Sequence, residues 1–210
     1  MNIKKRAGIL VIILILITIT LIFLIPSISN KYTYTNPNGE RFTFYKSRVG
    51  DTLMHTLSAY ANYKDNKENY EYAIALRNSP KSLEDIQVQQ GIKNKILNKK
   101  YIYITLDPEF KGEAVLASIE IAKVLGQANY GIFKIPTQGA LLYSLNKTNS
   151  TNTPVITCNN ANKEIGVIWL NLGKENKIYS SRECVIVEAV DYKNLIKVAD
   201  RLVYDLLDVM

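Results

Sequence analysis

Apolar and polar residues divide the chain into two unlike parts. Residues 7–25 carry no charged side chain and only two hydroxyl groups, whereas apolar and polar residues alternate in short segments after Pro26. A helix of about 20 apolar residues can cross a hydrocarbon core of about 30 Å. We therefore predict a transmembrane helix over residues 7–26 that acts as a signal anchor. The alternative is a cleaved secretory signal, whose apolar part is normally shorter, about 7–15 residues.

Three basic residues precede this apolar segment and set its predicted orientation. Lys4, Lys5 and Arg6 belong to a short tail, residues 1–6. Because positive charge stays on the cytoplasmic side of a membrane, we expect this tail in the cytoplasm and residues 27–210 outside the cell membrane. A cleaved signal would export the same domain. The third possibility is a buried helix of a cytoplasmic domain, and in that case residues 27–210 would not be exported.

Residues 32–77 alternate apolar and polar side chains, which is typical of half-buried strands. Turn-forming residues 36–39 separate the first two runs, and polar residues 64–69 separate the last two. We therefore predict an N-terminal antiparallel β-meander. In its last strand, one face is predicted to carry Tyr70, Tyr72, Ile74 and Leu76.

The pattern changes over residues 101–210, where apolar runs alternate with helical spacing. Residues 101–106 are apolar enough for a strand that is buried on both faces. A helix is predicted over residues 113–125, and Gly126 ends it. We expect the buried side of this helix to consist of four apolar residues at helical spacing, namely Val115, Leu116, Ile119 and Ala122.

The last predicted element is a helix that begins after Asp191, a typical N-cap residue. Its buried side is predicted to consist of Leu195, Val198, Ala199, Leu202, Val203 and Leu206. The predicted fold class is thus an N-terminal transmembrane helix followed by one α/β or α+β domain. That domain would combine the β-meander with a mixed sheet on which helices pack.

Part of the net positive charge belongs to the N-terminal segment and not to the domain that follows it. The formal net charge is +7, of which Lys4, Lys5 and Arg6 supply three, so residues 30–210 carry +4. The remaining basic residues are scattered and form no stripe with interleaved aromatics, so we expect no nucleic-acid partner. The densest basic run, residues 93–100, is predicted to be a solvated loop before a strand. The alternative is that it contacts anionic headgroups.

The two cysteines predict a disulfide bond. Cys158 and Cys184 both fall in predicted strands, and an exported domain meets oxidising conditions. Closing a loop of roughly 25 residues stabilises a fold by about 3–4 kcal/mol in the chain-entropy model. The alternative is a pair of buried free thiols. A catalytic thiolate would need a neighbouring histidine, and the single histidine, His55, is predicted to be structural.

Three acidic residues follow the predicted strand 101–106 and open the next helix. Asp107, Glu109 and Glu113 lie where ligand-binding residues gather in α/β folds. Carboxylates there can bind a ligand or a cation, or act as acid and base. The alternative is purely structural, because acids are favoured at helix N-termini and Asp-Pro is a common turn.

Motifs for metal binding and catalysis are missing from the sequence. One histidine cannot build a zinc site, and there is no Cys-x-x-Cys pair, no Gly-x-Ser-x-Gly elbow and no phosphate-binding glycine loop. We therefore expect no metal and no cofactor, and we lean against an enzyme. Asn146 and Asn149 begin glycosylation sequons in a polar loop, although two sequons can also arise by chance in an asparagine-rich chain.

Six short stretches between residues 41 and 210 carry a family resemblance. They are RFTFYK at 41–46, LRNSPKSLEDI at 76–86, YIYITLDPE at 101–109, PVITCNNA at 154–161, CVIVEA at 184–189 and ADRLVYDLLDVM at 199–210. These stretches resemble a family of uncharacterised archaeal single-pass membrane proteins. Cys158 and Cys184 belong to the similarity. In the family the last helix tends to end in Leu-Leu-Gly, and here Asp208 replaces the glycine. The resemblance implies an archaeal cell-surface setting and an extracytoplasmic α/β domain, and it carries no activity.

Together these patterns favour a membrane-anchored extracytoplasmic domain that works by binding or by assembly at the cell surface. Its partners would be the membrane and a protein or envelope component of unknown identity. A small-ligand-binding domain is the first alternative. A hydrolase that uses Asp107 and Glu109 is the second.

Overall fold

The structure, a computed structural model, describes residues 30–62, 69–110, 112–126, 131–144 and 153–210. Residues Lys31–Met210 form one compact unit. This unit contains a four-stranded sheet and a six-stranded sheet, which are built from the first and the later part of the unit respectively.

The four-stranded sheet is an antiparallel meander in chain order, as predicted. Its strands are β1 (Lys31–Thr35), β2 (Arg41–Val49), β3 (Thr52–Asn62) and β4 (Asn69–Leu76). The register pairs Phe44 with Leu57 and Leu57 with Ile74, so these three buried side chains share one face. The alternating pattern of the sequence therefore places the apolar face of the meander against the core.

The six-stranded sheet is mixed, as predicted, and has the order β5-β9-β10-β8-β6-β7. Its strands are β5 (Gln87–Val88), β6 (Tyr101–Leu106), β7 (Thr137–Leu141), β8 (Ile165–Leu172), β9 (Lys177–Ser181) and β10 (Cys184–Ala189). Strands β6, β7, β8 and β10 are mutually parallel, whereas β9 is antiparallel to β10. Every residue of β10 is buried, as expected for a central parallel strand.

Two longer helices and one short helix accompany this sheet. They are α1 (Ile92–Leu97), α2 (Gly112–Leu125) and α3 (Tyr192–Leu206). The N-cap prediction for α3 is confirmed, because the Asp191 carboxylate accepts a hydrogen bond from the Asn194 backbone N–H at 2.8 Å. All six residues predicted for the inner side of α3 are buried.

The two faces of the six-stranded sheet are covered differently. Helices α2 and α3 contact each other and contribute to the main core, which also includes Ile102 and Ile104 of β6. A second, smaller cluster consists of Val167, Cys184 and Ile186, whose side chains point to the other face of the sheet. Half-buried side chains pack against this second cluster from strands and from the segment near the 3-10 helix Cys158–Asn160: Ile156, Cys158, Ala161, Trp169 and Tyr179.

The transmembrane part of the predicted fold class is wrong. No helix in the part of the chain that the structure describes is long and apolar enough to cross a membrane. The longest two, α2 and α3, have 14 and 15 residues, which is shorter than the roughly 20 that a bilayer core requires. The predicted helix over residues 7–26 and the tail 1–6 lie outside the described residues. The fold class is corrected to an α/β or α+β domain with a mixed sheet and an antiparallel β-meander.

Gly131 is a position where the backbone requires glycine. Its φ is 87°, and an added Cβ would lie 2.6 Å from the Cα of Gly126. We expect Gly131→Ala to lower the free energy of unfolding by about 1–3 kcal/mol, because both the backbone conformation and the close approach become strained. Chemical denaturation measures this loss. Gly139→Ala is the matched control, because a Cβ there meets open space, and its midpoint should change little.

Candidate interaction surface

Helices α2 and α3 differ in how their polar residues are distributed. The sequence of α2 is GEAVLASIEIAKVL, which is apolar on nearly every side, and its charged residues are Glu113, Glu120 and Lys123. The sequence of α3 is YKNLIKVADRLVYDL, with polar residues concentrated on one side. An all-round apolar helix is normally enclosed on all sides, whereas an amphipathic helix suits a protein surface.

One side of α2 is nevertheless exposed. The buried side consists of Ala114, Ala117, Glu120, Ile121, Val124 and Leu125. On the opposite side, Val115 is 46% exposed, Leu116 is 36% exposed and Ile119 is 53% exposed. We call these three residues the apolar helix face. The prediction that they form the buried side of α2 is wrong, because two alanines of the other side face the core instead.

The charged residues in the second half of α2 are turned toward the meander. The Lys123 ammonium donates hydrogen bonds to the Glu120 carboxylate and to the carbonyl oxygen of Ala75 at the end of β4. Arg77 Nε lies 3.6 Å from the Glu120 carboxylate, which is nearly buried. These contacts tie α2 to the end of the meander, and they leave the apolar helix face to solvent.

A buried carboxylate on α3 holds the segment that leaves the meander. Asp200 Oδ2 accepts hydrogen bonds from the backbone N–H groups of Arg77 and Asn78 at 3.1 and 2.9 Å, and from the Asn78 side-chain amide at 2.8 Å. Asp200 Oδ1 is buried and has no hydrogen-bond partner among the described residues. Burial, together with the nearby Glu120 charge, raises the pKa of Asp200 to about 7, although the hydrogen bonds from Asn78 act in the opposite direction. Asp200 was not predicted from the sequence.

The three predicted acidic residues do not converge on one point as a metal site requires. Asp107 Oδ1 accepts hydrogen bonds from the Glu109 backbone N–H at 2.8 Å and from the Tyr143 hydroxyl at 2.9 Å, which closes the turn after β6. Glu109 is exposed, and Glu113 lies partly exposed in the first turn of α2. Over the described ranges, no group of three or more His, Cys, Asp or Glu residues is placed to hold a metal ion. A ligand or cation role for these acids stays a prediction.

The predicted disulfide is present. Cys158 and Cys184 are bonded, with an S–S length of 2.05 Å and a Cα–Cα distance of 5.1 Å. Cys184 begins β10 as predicted, but Cys158 lies in a 3-10 helix rather than in a strand. Thr157 caps that short helix by accepting a hydrogen bond from the Asn159 backbone N–H. The bond therefore fastens a loop to the face of the sheet that α2 and α3 do not cover.

The basic run forms ion pairs instead of a solvated loop. Most of the run belongs to α1, and its lysines face carboxylates from elsewhere in the chain. The pairs are Lys93 with Asp208, Lys95 and Lys99 with Glu183, and Lys100 with Glu164. The structure thus corrects the loop prediction. The alternative, contact with anionic headgroups, would call for unpaired lysines, and the four lysines of this run are all paired.

The sequence predictions also concerned His55 and the two sequon asparagines. His55 is buried on the meander, and its Nδ1 lies 2.9 Å from the Tyr32 hydroxyl. Burial lowers the pKa of His55. The sequon residues Asn146 and Asn149 lie outside the described residues, so their glycosylation stays a prediction.

Comparisons with protein-family models, with curated proteins and with solved structures found no match to this chain. The apolar helix face is therefore the structural feature that bears on function. Aliphatic side chains carry no acid, base or nucleophile, and they contribute to binding by leaving water.

Proposed function

We propose that this protein is a non-enzymatic binding domain that docks a partner protein onto the apolar helix face. The observation that carries the proposal is that Val115, Leu116 and Ile119 are each at least one-third exposed on a helix that is apolar nearly all round. Single exposed aliphatic residues are common, but three in adjacent positions on one helix form a contiguous patch.

The free energy gained by covering the apolar helix face is that of a contact within a larger interface. Full burial of one aliphatic side chain stabilises by about 1.5–3 kcal/mol, so covering the exposed part of the three side chains contributes about 3 kcal/mol in total. A stable interface buries about 800 Å² on each partner, which is more than three side chains supply. The apolar helix face would then be the centre of the contact, and polar residues around it would form the rim.

The disulfide supports an oxidising, extracytoplasmic compartment for this activity. Disulfide bonds persist outside the cytoplasm and are rare within it. The partner would therefore be a protein of the cell surface or envelope that presents its own apolar surface, because the apolar helix face offers no charge to recognise a polar ligand.

Photo-cross-linking tests the proposed surface in the native cell. A photoreactive phenylalanine derivative at Ile119 should yield an adduct with a protein partner. The same photoreactive derivative in place of Val49 should yield no adduct. Val49 is more exposed than Ile119 and lies at the tip of the meander. Equal adduct yields from the two positions would indicate random collision and would contradict the proposal.

The matched charge substitutions give a quantitative prediction. Ile119→Glu should reduce at least tenfold the co-purification of the partner identified by cross-linking, because a carboxylate in an apolar contact must be desolvated. Val49→Glu should leave recovery unchanged. Both positions are exposed, so thermal unfolding midpoints should stay within a few degrees of the unsubstituted protein. Loss of the partner in both variants, or in neither, would exclude the apolar helix face as the docking site.

A further inference from the structure

A cleft of about 360 Å³ lies between the meander and the end of α3, away from the apolar helix face. Strands β2 and β3, the segment before β7 and the last turn of α3 supply its apolar walls: Phe42, Leu57, Ala59, Ile132, Phe133, Leu206 and Leu207. This volume is within the range of about 300–1,000 Å³ that is typical of small-molecule sites.

The apolar walls of this cleft are incompletely covered. Five of the side chains pack against the main core and yet are only partly buried: Phe42, Ala59, Ile132, Phe133 and Leu207. They come from four separate segments of the chain, so their remaining exposed area converges from several sides. An apolar group placed among them would remove that area from water, which is favourable at about 25 cal/mol per Å².

An ion pair lies at the rim of the cleft. The Lys93 ammonium is paired with the carboxylate of Asp208, and both residues line the cleft. The Lys93 side chain is 28% exposed, whereas the Asp208 side chain is 71% exposed. Most of the Lys93 side chain is therefore covered by protein, whereas most of the Asp208 side chain is in water.

The backbone of Asp208 is held in place independently of this ion pair. Its φ is 59°, in the left-handed region, and its carbonyl oxygen accepts a hydrogen bond from the Asn36 side chain at 3.2 Å. The Asp208 carboxylate can therefore swing into solvent without disturbing the chain, and another anion can take its place on Lys93.

We propose that this cleft binds a small acidic amphiphile, a single-chain carboxylic acid. Its apolar body would occupy the cleft, and its carboxylate would accept hydrogen bonds from Lys93 in place of Asp208. The apolar walls select a hydrocarbon body, and the Lys93 ammonium at the rim selects a negative head through a charge-assisted hydrogen bond. A cationic head would meet Lys93 as a like charge. This inference is independent of the proposed protein partner.

Calorimetric titration of the full-length protein with three ligands of equal chain length tests the selectivity. Dodecanoate should bind at least tenfold more tightly than dodecanol, because only the carboxylate pairs with Lys93. Dodecyltrimethylammonium should bind more weakly than dodecanol. Equal affinity for the three ligands would mean nonspecific adsorption to apolar surface and would overturn the proposal.

The two members of the ion pair give opposite predictions. Lys93→Gln should weaken dodecanoate binding about tenfold and leave dodecanol binding unchanged. Asp208→Asn should strengthen dodecanoate binding several-fold, because the competing carboxylate is gone. A purely structural ion pair would make both variants change affinity in the same direction, and that result would contradict the proposal.

Filling the cleft is the control for location. Ala59→Phe should abolish binding of both dodecanoate and dodecanol, because the added ring occupies the space between the walls. Ala59→Leu provides a smaller block if the phenylalanine variant fails to fold. Unchanged dodecanoate binding in a folded Ala59 variant would place the ligand elsewhere and overturn the proposal.

Discussion

Replacing both Cys158 and Cys184 with alanine is expected to lower the free energy of unfolding by about 3–4 kcal/mol. The two residues are 26 positions apart, so the bond removes a substantial part of the conformational entropy of the unfolded chain. In the folded state it also fastens the 3-10 helix Cys158–Asn160 to β10, where Cys184 is fully buried. Urea denaturation measures the change.

The fluorescence of Trp169 is a suitable probe for this experiment. Trp169 is the only tryptophan, and it packs against the cluster that contains Cys184. Adding a thiol reductant should destabilise the unsubstituted protein by a similar amount and leave the double alanine variant unaffected. A reductant effect on the double variant, or equal midpoints for the two proteins in the absence of reductant, would contradict the entropic account.

The elements that could be predicted from the sequence are those with an unambiguous period. Alternation in β2 and β4 placed the inner face of the meander, because a strand has only two faces and one of them was apolar. The inner side of α3 was equally clear, since Leu195, Leu202 and Leu206 share one side. Lys193 and Lys197 are exposed on the other side. In both cases local chemistry distinguished the buried side from the exposed one.

The inner side of α2 could not be predicted in this way. Its apolar residues surround the helix, so periodicity offered two equivalent choices. The outcome depends on the elements that α2 meets, and alanines at 114 and 117 allow closer packing there than the larger Val115 and Ile119. The proposed interaction surface therefore follows from tertiary packing and from the structure alone.

Two other features were missed for different reasons. In α1, Ile92 and Ile96 are buried and four residues apart, which is a helical signal that the dense lysines obscured. The order of the six-stranded sheet is a non-local property, because β10 lies between β8 and β9 although it follows both in the chain. The cleft lined by Phe42, Phe133 and Leu206 is likewise non-local, because its walls come from distant segments of the chain.

Asp200 had a signal in the sequence that was not used. It is an ionisable residue directly after Ala199, inside the apolar run of α3, where a charge must be paired or neutral. Within the described ranges, one of its oxygens accepts hydrogen bonds and the other has no donor. The unpartnered buried oxygen makes the charged carboxylate costly and favours its protonated form.

The contribution of Asp200 to the stability of the protein is expected to fall as pH rises from 5 to 8. Burial raises the pKa of Asp200 from its ordinary value of 3.8 to about 7. Over this interval the folded state retains a proton that the unfolded state has already released, so stability is greatest at low pH and is lost as pH approaches 7. Each pKa unit corresponds to about 1.4 kcal/mol, which gives a loss on the order of 3 kcal/mol between pH 5 and pH 8.

Asp200→Asn isolates this contribution. The amide oxygen can still accept hydrogen bonds from Arg77 and Asn78, and no charge has to be buried. The variant should therefore gain about 3 kcal/mol relative to the unsubstituted protein on going from pH 5 to pH 8, as measured by urea denaturation at each pH.

Asp191→Asn is the matched control on the same helix, because hydrogen bonds from Asn194 lower the pKa of Asp191 below this interval. Asparagine is an equally good N-cap, so that variant should follow the pH profile of the unsubstituted protein. Parallel profiles for Asp200→Asn and the unsubstituted protein would show that Asp200 stays ionised in the folded state across the whole range.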